Sequence, residues 1–264
     1  MTPDLELALD AAFAGAETAM EHFARLATIE QRSKDDGTVV TDADVATETA
    51  VRDVLAAARP ADGFLGEETG AAASTSGRRW ILDGIDGTSV FVEGDDRWLS
   101  LIALEIDGRI DVGVAIVPVQ QTVWFAARGH GAFRQGFDDS GLVGTAERLS
   151  SAGHTTPSGL RHALLPPLER VGPERFEFLR GVLADGEELH WHAHPALMVA
   201  AGELDVGAVV GGKLWDAAPF AVILDEAGGR ACSTDGTPVP CDGPYLFTST
   251  PELATAFVAR IADE

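Results

Sequence analysis

The chain opens with Thr2, Pro3 and Asp4, after which Leu5, Leu9, Ala12, Phe13, Ala16, Met20 and Phe23 recur at helical spacing. That pattern predicts a first helix capped by Thr2, with a proline in its first turn and one apolar face turned to a core. Residues 31–37 are polar and contain a glycine, so they read as a mobile loop. Thr41-Asp42-Ala43-Asp44 then has the form of a capping box feeding a second helix through about Ala58. Strands are predicted at 64–65, 80–82, 100–106 and 110–117. Asp107-Gly108 makes a hairpin turn between the last two, and 123–126 extends the same meander. Farther on, 160–168 and 195–201 read as partly helical and 206–210 as a short strand. Asp216 opens an apolar helix that stops at Gly228-Gly229, and Thr250-Pro251-Glu252 begins a terminal helix. Two helices followed by a run of strands predict an α/β or α+β first lobe, residues 1–145, with a second lobe over residues 146–264.

Composition narrows what such a molecule can do. At 264 residues the chain is long enough to bury a large core without disulfides or a structural metal. Cys232 and Cys241 lie close together in a Gly/Pro/Asp-rich stretch, without the cysteine density of a small secreted domain. The N-terminal MTPDLELALD is acidic where a signal peptide is basic, and no apolar run reaches the ~20 residues that cross a bilayer. A soluble, reduced, cytoplasmic protein is the expectation. The formal charge of −23, from 19 basic and 42 acidic residues, repels phosphate backbones and anionic surfaces. Nucleic acid and membrane are therefore excluded as expected partners. The remaining question is whether any of these carboxylates are placed to act together on a cation.

The run WILDGIDGTSVF offers such a placement. It carries Asp83 and Asp86 three residues apart with Gly84 and Gly87 beside them, so the chain can turn and aim both carboxylates at one point. Magnesium suits that arrangement, since it takes hard oxygen ligands and commonly completes its shell with water and substrate phosphate. Backbone N–H groups after Asp86, near Thr88, can face a phosphate oxygen. The same letters also describe an ordinary Asp/Gly turn. Likewise Glu67 and Glu68 read equally as solvated loop acids, Asp216 as a helix cap, Thr41 and Asp44 as caps and Lys34 as a surface charge. In LHWHAHP, His190, His192 and His194 would share one face of a strand and offer zinc ligands. Pro195 and the lack of an identifiable fourth ligand favour core or surface histidines instead.

Taken together, GEE at 66–68, WILDGIDGTSVF at 80–91, LWDAAPFAVILDEAGG at 214–229 and the upstream KDDGTVVTDADVATE resemble the inositol monophosphatase family. Its members are magnesium-dependent, lithium-sensitive phosphatases. The resemblance implies an α/β fold, a layered αβαβα sandwich with the active site between two lobes, and a homodimer. It implies two or three Mg2+ ions acting on a small phosphorylated metabolite by direct attack of water. Glu67, Asp83 and the carbonyl of Ile85 would hold the first ion, and Asp83, Asp86 and Asp216 the second. Gly87 and Thr88 would contact phosphate or the attacking water, Asp44 would orient Thr88, and Lys34 would lie on a flexible loop over the metals. Glu68 would support the loop or a third ion. Gly84 departs from the family's usual Pro, which predicts a looser turn. Val209 stands where enzymes for inositol phosphate and many for histidinol phosphate offer a Glu to the substrate, so both substrates are weakened. His192 and Lys213 are the remaining substrate-side candidates. The alternatives are a histidinol-phosphate, inositol-phosphate or nucleotide 3'-phosphatase, or a non-catalytic acidic scaffold.

Overall fold

The computed structural model describes residues 1–29, 31–33, 39–165 and 173–263. Thr2 caps α1 (Pro3–Phe23), accepting the Leu5 N–H as the sequence predicts. A short antiparallel pair, β1 (Gln31–Ser33) and β2 (Val39–Thr41), leads into α2 (Asp42–Ala58). The expected loop at 31–37 is thus partly strand, and its remainder, with Lys34 and Gly37, lies outside the described residues. The strands β3 (Gly63–Gly66), β4 (Gly70–Ala72) and β5 (Arg78–Asp86) follow, then a five-residue helix α3 (Thr88–Val92). β6 (Leu99–Ile106), β7 (Arg109–Val117), β8 (Thr122–Ala127), β9 (Ala132–Asp138) and β10 (Gly141–Arg148) continue as an antiparallel meander. Together these strands form an eight-stranded sheet in the order β10-β9-β8-β7-β6-β5-β3-β4.

The second half contributes β11 (Arg161–Leu165), α4 (Pro173–Val182), β12 (Glu187–Glu188), α5 (Pro195–Ala200) and β13 (Val206–Val209). It closes with α6 (Leu214–Ala227), β14 (Arg230–Ser233), β15 (Tyr245–Thr248) and α7 (Pro251–Asp263). Its sheet has five strands in the order β12-β11-β13-β15-β14. The helical reading of 160–168 is corrected here, because residues 161–165 form a strand parallel to β13. Both faces of that strand are covered, Ala163 toward the central helices and Leu164 toward the outer ones. A strand buried on both faces loses the polar alternation that distinguishes it from a helix in sequence. The three histidines do not share a strand face either. His190 and His192 are exposed, whereas His194 is buried and caps α5, accepting the Ala196 N–H.

Period-two alternation along β5 sorts its side chains into two layers. Trp80 and Leu82 pack with Leu5, Leu9, Val51 and Leu55 of α1 and α2, while Ile81 points to the opposite core with α5 and α6. Beyond α6 the five-stranded sheet presents Phe247, and its far face, with Val206 and Leu246, is covered by Leu179 of α4 and Phe257 of α7. The order is therefore helix, sheet, helix, sheet, helix. Among the described residues no helix is long and apolar enough to cross a membrane.

The central helices belong to both sheets at once, so they place Asp216 of α6 against the end of β5. Phe220 of α6 is fully buried, stacked on the His194 ring at 4.4 Å and edge-on to Phe247 at 5.6 Å. Burial also drives the pKa of His194 down to about 3, so the ring stays neutral inside this core. Phe220→Ala is expected to cost about 3–5 kcal/mol. It should lower the midpoint of a single urea transition followed by both fluorescence and circular dichroism. Two separated transitions would overturn the shared central core.

Candidate metal and phosphate site

The site forms where β5 breaks register. Asp83 pairs with Leu101 and Asp86 with Leu99, so three steps on β5 oppose two on β6, and the extra residue bends the strand end. Within the bend the Ile85 N–H donates to Asp83 Oδ1 at 3.0 Å, and the Ser100 hydroxyl donates to the Gly84 carbonyl at 2.6 Å. The bend is crowded at Gly84: a Cβ there would stand 2.7 Å from the Asp44 carbonyl and 2.8 Å from the Glu48 amide, so a larger residue requires α2 or the bend to shift. Glu67 arrives from the neighbouring parallel strand β3, its N–H donating to the Leu82 carbonyl at 3.3 Å.

Asp216 comes from α6 in the central helical layer. It is the third residue of α6, and its carboxylate accepts the Lys213 N–H at 2.6 Å. Capping and site-building are thus the same act here, where the sequence offered them as alternatives. Asp242 steadies this helix start by accepting the Leu214 N–H at 3.0 Å and pairing with the Lys213 ammonium at 3.1 Å. One carboxylate oxygen from each of Glu67, Asp83 and Asp216 lies within 4.8 Å of the others.

Such convergence is costly without a cation. Burial raises the pKa of Asp83 well above its ordinary 3.8, and the charges of Glu67, Asp86, Asp216 and Glu48 push it the same way. Asp86 is raised well above its ordinary value too, by burial first and then by Asp216 and Glu67, with the Gly87 N–H partly opposing. An all-oxygen, multiply anionic cluster fits a hard divalent cation such as magnesium, calcium or manganese. The structure supports one such candidate site directly.

Thr88, at the start of α3, donates its hydroxyl to Asp44 Oδ1 at 2.7 Å, and the Ile85 carbonyl lies 3.3 Å from the Thr88 hydroxyl oxygen. The other Asp44 oxygen accepts the Thr41 amide at 2.8 Å and the Thr41 hydroxyl at 2.6 Å. Burial raises the Asp44 pKa, and these donors pull it back. The structure thus brings Asp44 and Thr88 together beside Ile85. The substrate-side candidates are more dispersed. His192 is exposed, its Nε2 2.6 Å from Glu203, and Lys213 is committed to Asp242. Val209 sits half-buried at the end of β13, opposite Tyr245 and Leu165. Sequence reasoning missed Glu48, Asp242 and Tyr245. Glu48 stands one turn after Asp44 on the same face of α2, but that spacing alone does not mark it as a site residue. Tyr245, whose hydroxyl donates to the Lys213 and Cys241 carbonyls, gave no local signal.

A layered α/β sandwich with a carboxylate cluster at the end of β5 in its eight-stranded sheet defines a class of candidate metal-dependent enzyme. The sequence profile of the inositol monophosphatase family matches residues 1–263, and the chain belongs to that family. It is 39% identical to a histidinol-phosphatase of Mycobacterium tuberculosis over 93% of both chains. It is also 36% identical to a histidinol-phosphatase of Streptomyces coelicolor, over 91% of this chain and 90% of that one. Its fold matches the extragenic suppressor protein SuhB of Bartonella henselae with a TM-score of 0.83 over 98% of each chain, at 24% identity.

The electrostatics predict how the metal-free protein responds to pH. The unfolded chain releases the Asp83 and Asp86 protons near 3.8, the folded chain only well above it. These groups therefore contribute most to stability below the unfolded value, and that contribution is lost as pH rises through the folded values. In chelator, the melting temperature should fall as pH rises from the unfolded value of 3.8 through the raised folded values, and added Mg2+ should close the gap because cation binding releases the protons. Asp83→Asn should flatten the chelator profile. An equally steep profile in that variant would show that other groups control it.

Proposed function

We propose that the chain hydrolyses a phosphate monoester of a small molecule to the alcohol and inorganic phosphate, in a magnesium-dependent reaction. The observation that carries this reading is the convergence of Glu67, Asp83 and Asp216 within 4.8 Å. Glu67, Asp83 and the Ile85 carbonyl would hold one ion, and Asp83, Asp86 and Asp216 a second, with Glu68 beside a third. Bound there, magnesium supplies positive charge to the phosphoryl and leaving oxygens and makes water a better nucleophile. The protein's own part is placement. With its proton committed to Asp44, the Thr88 hydroxyl keeps lone pairs that can accept a hydrogen bond from an attacking water, and a proton taken from that water would be balanced by passage of the Thr88 proton to Asp44 Oδ1. Glu67 orients that water from the opposite side, and Gly87 with Thr88 faces the phosphate. The two lobes, 1–145 and 146–264, meet at this point, and the active form is a cytoplasmic homodimer by family reading.

A second reading names the alcohol. The two histidinol-phosphatase relatives favour histidinol phosphate. Val209 disfavours it, because an enclosed ammonium without a carboxylate partner is costly. His192 and Lys213 supply polar groups from other directions to a different alcohol.

The test is phosphate release from histidinol phosphate, inositol phosphates, sugar phosphates and adenosine bisphosphates, with and without Mg2+. Wild type should turn over at least one of them only with the cation, and use histidinol phosphate weakly, with improvement in Val209→Glu. Ordinary efficiency on histidinol phosphate, unimproved by the acid, would establish the second reading. Absence of Mg2+-dependent release from the whole panel would leave an acidic scaffold. Asp83→Asn should lose turnover by more than about 100-fold, beyond the usual effect of a supporting partner. It should also melt higher than wild type in chelator, since one repelling charge is gone. A variant with near-native turnover removes Asp83 from the centre of the site.

A further inference from the structure

Asp44, Glu48 and Arg52 stand one helical turn apart on α2, so they form a single stripe along the side of the helix that meets β3 and β5. Asp44 serves Thr88 at one end of that stripe. Glu48, fully buried, serves the turn that carries Glu67. Its Oε2 accepts the Glu68 N–H at 3.0 Å, and its Oε1 accepts the Thr69 N–H at 2.8 Å and the Thr69 hydroxyl. Arg52 completes the grip by donating to the Thr69 carbonyl at 3.2 Å and the Thr69 hydroxyl at 3.0 Å. The approach is so close that a Cβ on Gly66 would stand 1.9 Å from the Glu48 carboxylate.

Three donors, two amides and a hydroxyl, thus converge on one carboxylate. Only an ionised acid accepts all of them; an amide of the same shape would turn its NH2 toward one of them. The segment from Gly66 to Thr69 is consequently pinned on both sides of Glu67, by Leu82 through its own N–H and by Glu48 through the next two. We infer that Glu48 is a positioning residue for the cation site. Through the 66–69 turn it fixes where the Glu67 carboxylate stands relative to Asp83 and Asp216, and it does so without itself being a ligand. This inference rests on the proposed metal-dependent function, and it gives the α2 stripe a divided role in which Asp44 sets the hydroxyl and Glu48 sets the ligand.

The experiment is a double-mutant cycle read by metal binding alone. Mn2+ is titrated into the full-length chain, and free ion is counted by its paramagnetic resonance at a temperature where every variant is folded by circular dichroism. Glu48→Gln should weaken Mn2+ binding by about 10-fold in the wild-type background. In the Glu67→Gln background it should change binding by less than about 2-fold, because the group it positions is already lost. A staple that only stabilises the fold would lower the melting temperature of Glu48→Gln and leave its Mn2+ affinity unchanged, which would overturn the inference. An equal loss in both backgrounds would overturn it as well, by showing that Glu48 does not act through Glu67. If Glu48→Gln does not fold, Thr69→Val carries the same cycle. It deletes one donor to the carboxylate and should weaken binding by about 3-fold in the wild-type background only; unchanged affinity would again overturn the inference. Phosphate release by wild type is scored separately. A chain that binds Mn2+ and obeys the cycle but hydrolyses nothing refutes the phosphatase and keeps Glu48 in place. A wild type that binds no Mn2+ refutes both.

Discussion

The mutual repulsion of carboxylates at the end of β5 is the constraint around which this molecule is built. At an effective dielectric of about 20, two unit charges under 5 Å apart repel by about 3–4 kcal/mol. Three such pairs among Glu67, Asp83 and Asp216 would therefore approach the whole stability of an ordinary domain, about 5–15 kcal/mol. The chain cannot carry them all ionised without relief, and the raised pKa values of Asp83 and Asp86 show one form of relief, retention of protons. A bound cation is the other. Everything that brings these acids together must be rigid enough to oppose their separation.

That rigidity comes from two helices pressed against the same strand end from different sides. α2 lies against the bend at Gly84 and holds Thr88 through Asp44. α6 approaches from the central layer, where its apolar residues are buried against both sheets, and its first turn delivers Asp216. Because α6 packs between the two sheets in one shared core, Asp216 is fixed relative to the end of β5 by packing. The acids sit at the ends of elements, where the backbone can turn to aim them, while the interiors of those elements supply apolar contact.

Much of this was legible in the sequence, for identifiable reasons. α1, α2, the β6–β7 hairpin and α7 carry strong local signals, a cap or turn residue beside a clean period, and they stand where predicted. β11 was misread because a doubly buried strand and a helical segment look alike over five residues. Asp83 was legible because its spacing from Asp86 within a Gly-flanked turn is itself the bend, and Asp83 is the one of the two that joins Glu67 and Asp216. Glu67 and Asp216 were locally ambiguous, since their partners are distant in sequence, and only the ordered set of motifs joined them. Glu48 was invisible as a site residue for the opposite reason. A glutamate inside an amphipathic helix carries no mark of burial, and its three donors lie some twenty residues downstream.

The net charge of −23 gives the proposed reaction a direction. A phosphate dianion approaching this surface meets repulsion that salt screens beyond roughly 8–10 Å, but inside the site the carboxylates are only a few ångströms away and screening does not help. Among the described basic residues near the cluster, Lys213 is paired with Asp242 and Arg52 is turned to Thr69 and the Phe64 ring. Neither is placed to offset several carboxylates and a dianion together. On the proposed function, phosphate can enter only after the cluster's charge has been reversed. Cation binding must therefore precede the phosphate or accompany it, and a weakly held cation would weaken apparent substrate affinity even where no substrate contact had changed. The groups that shape the cation site, including those that touch no ligand, thereby become determinants of substrate binding, whereas residues such as Val209 act on the alcohol alone.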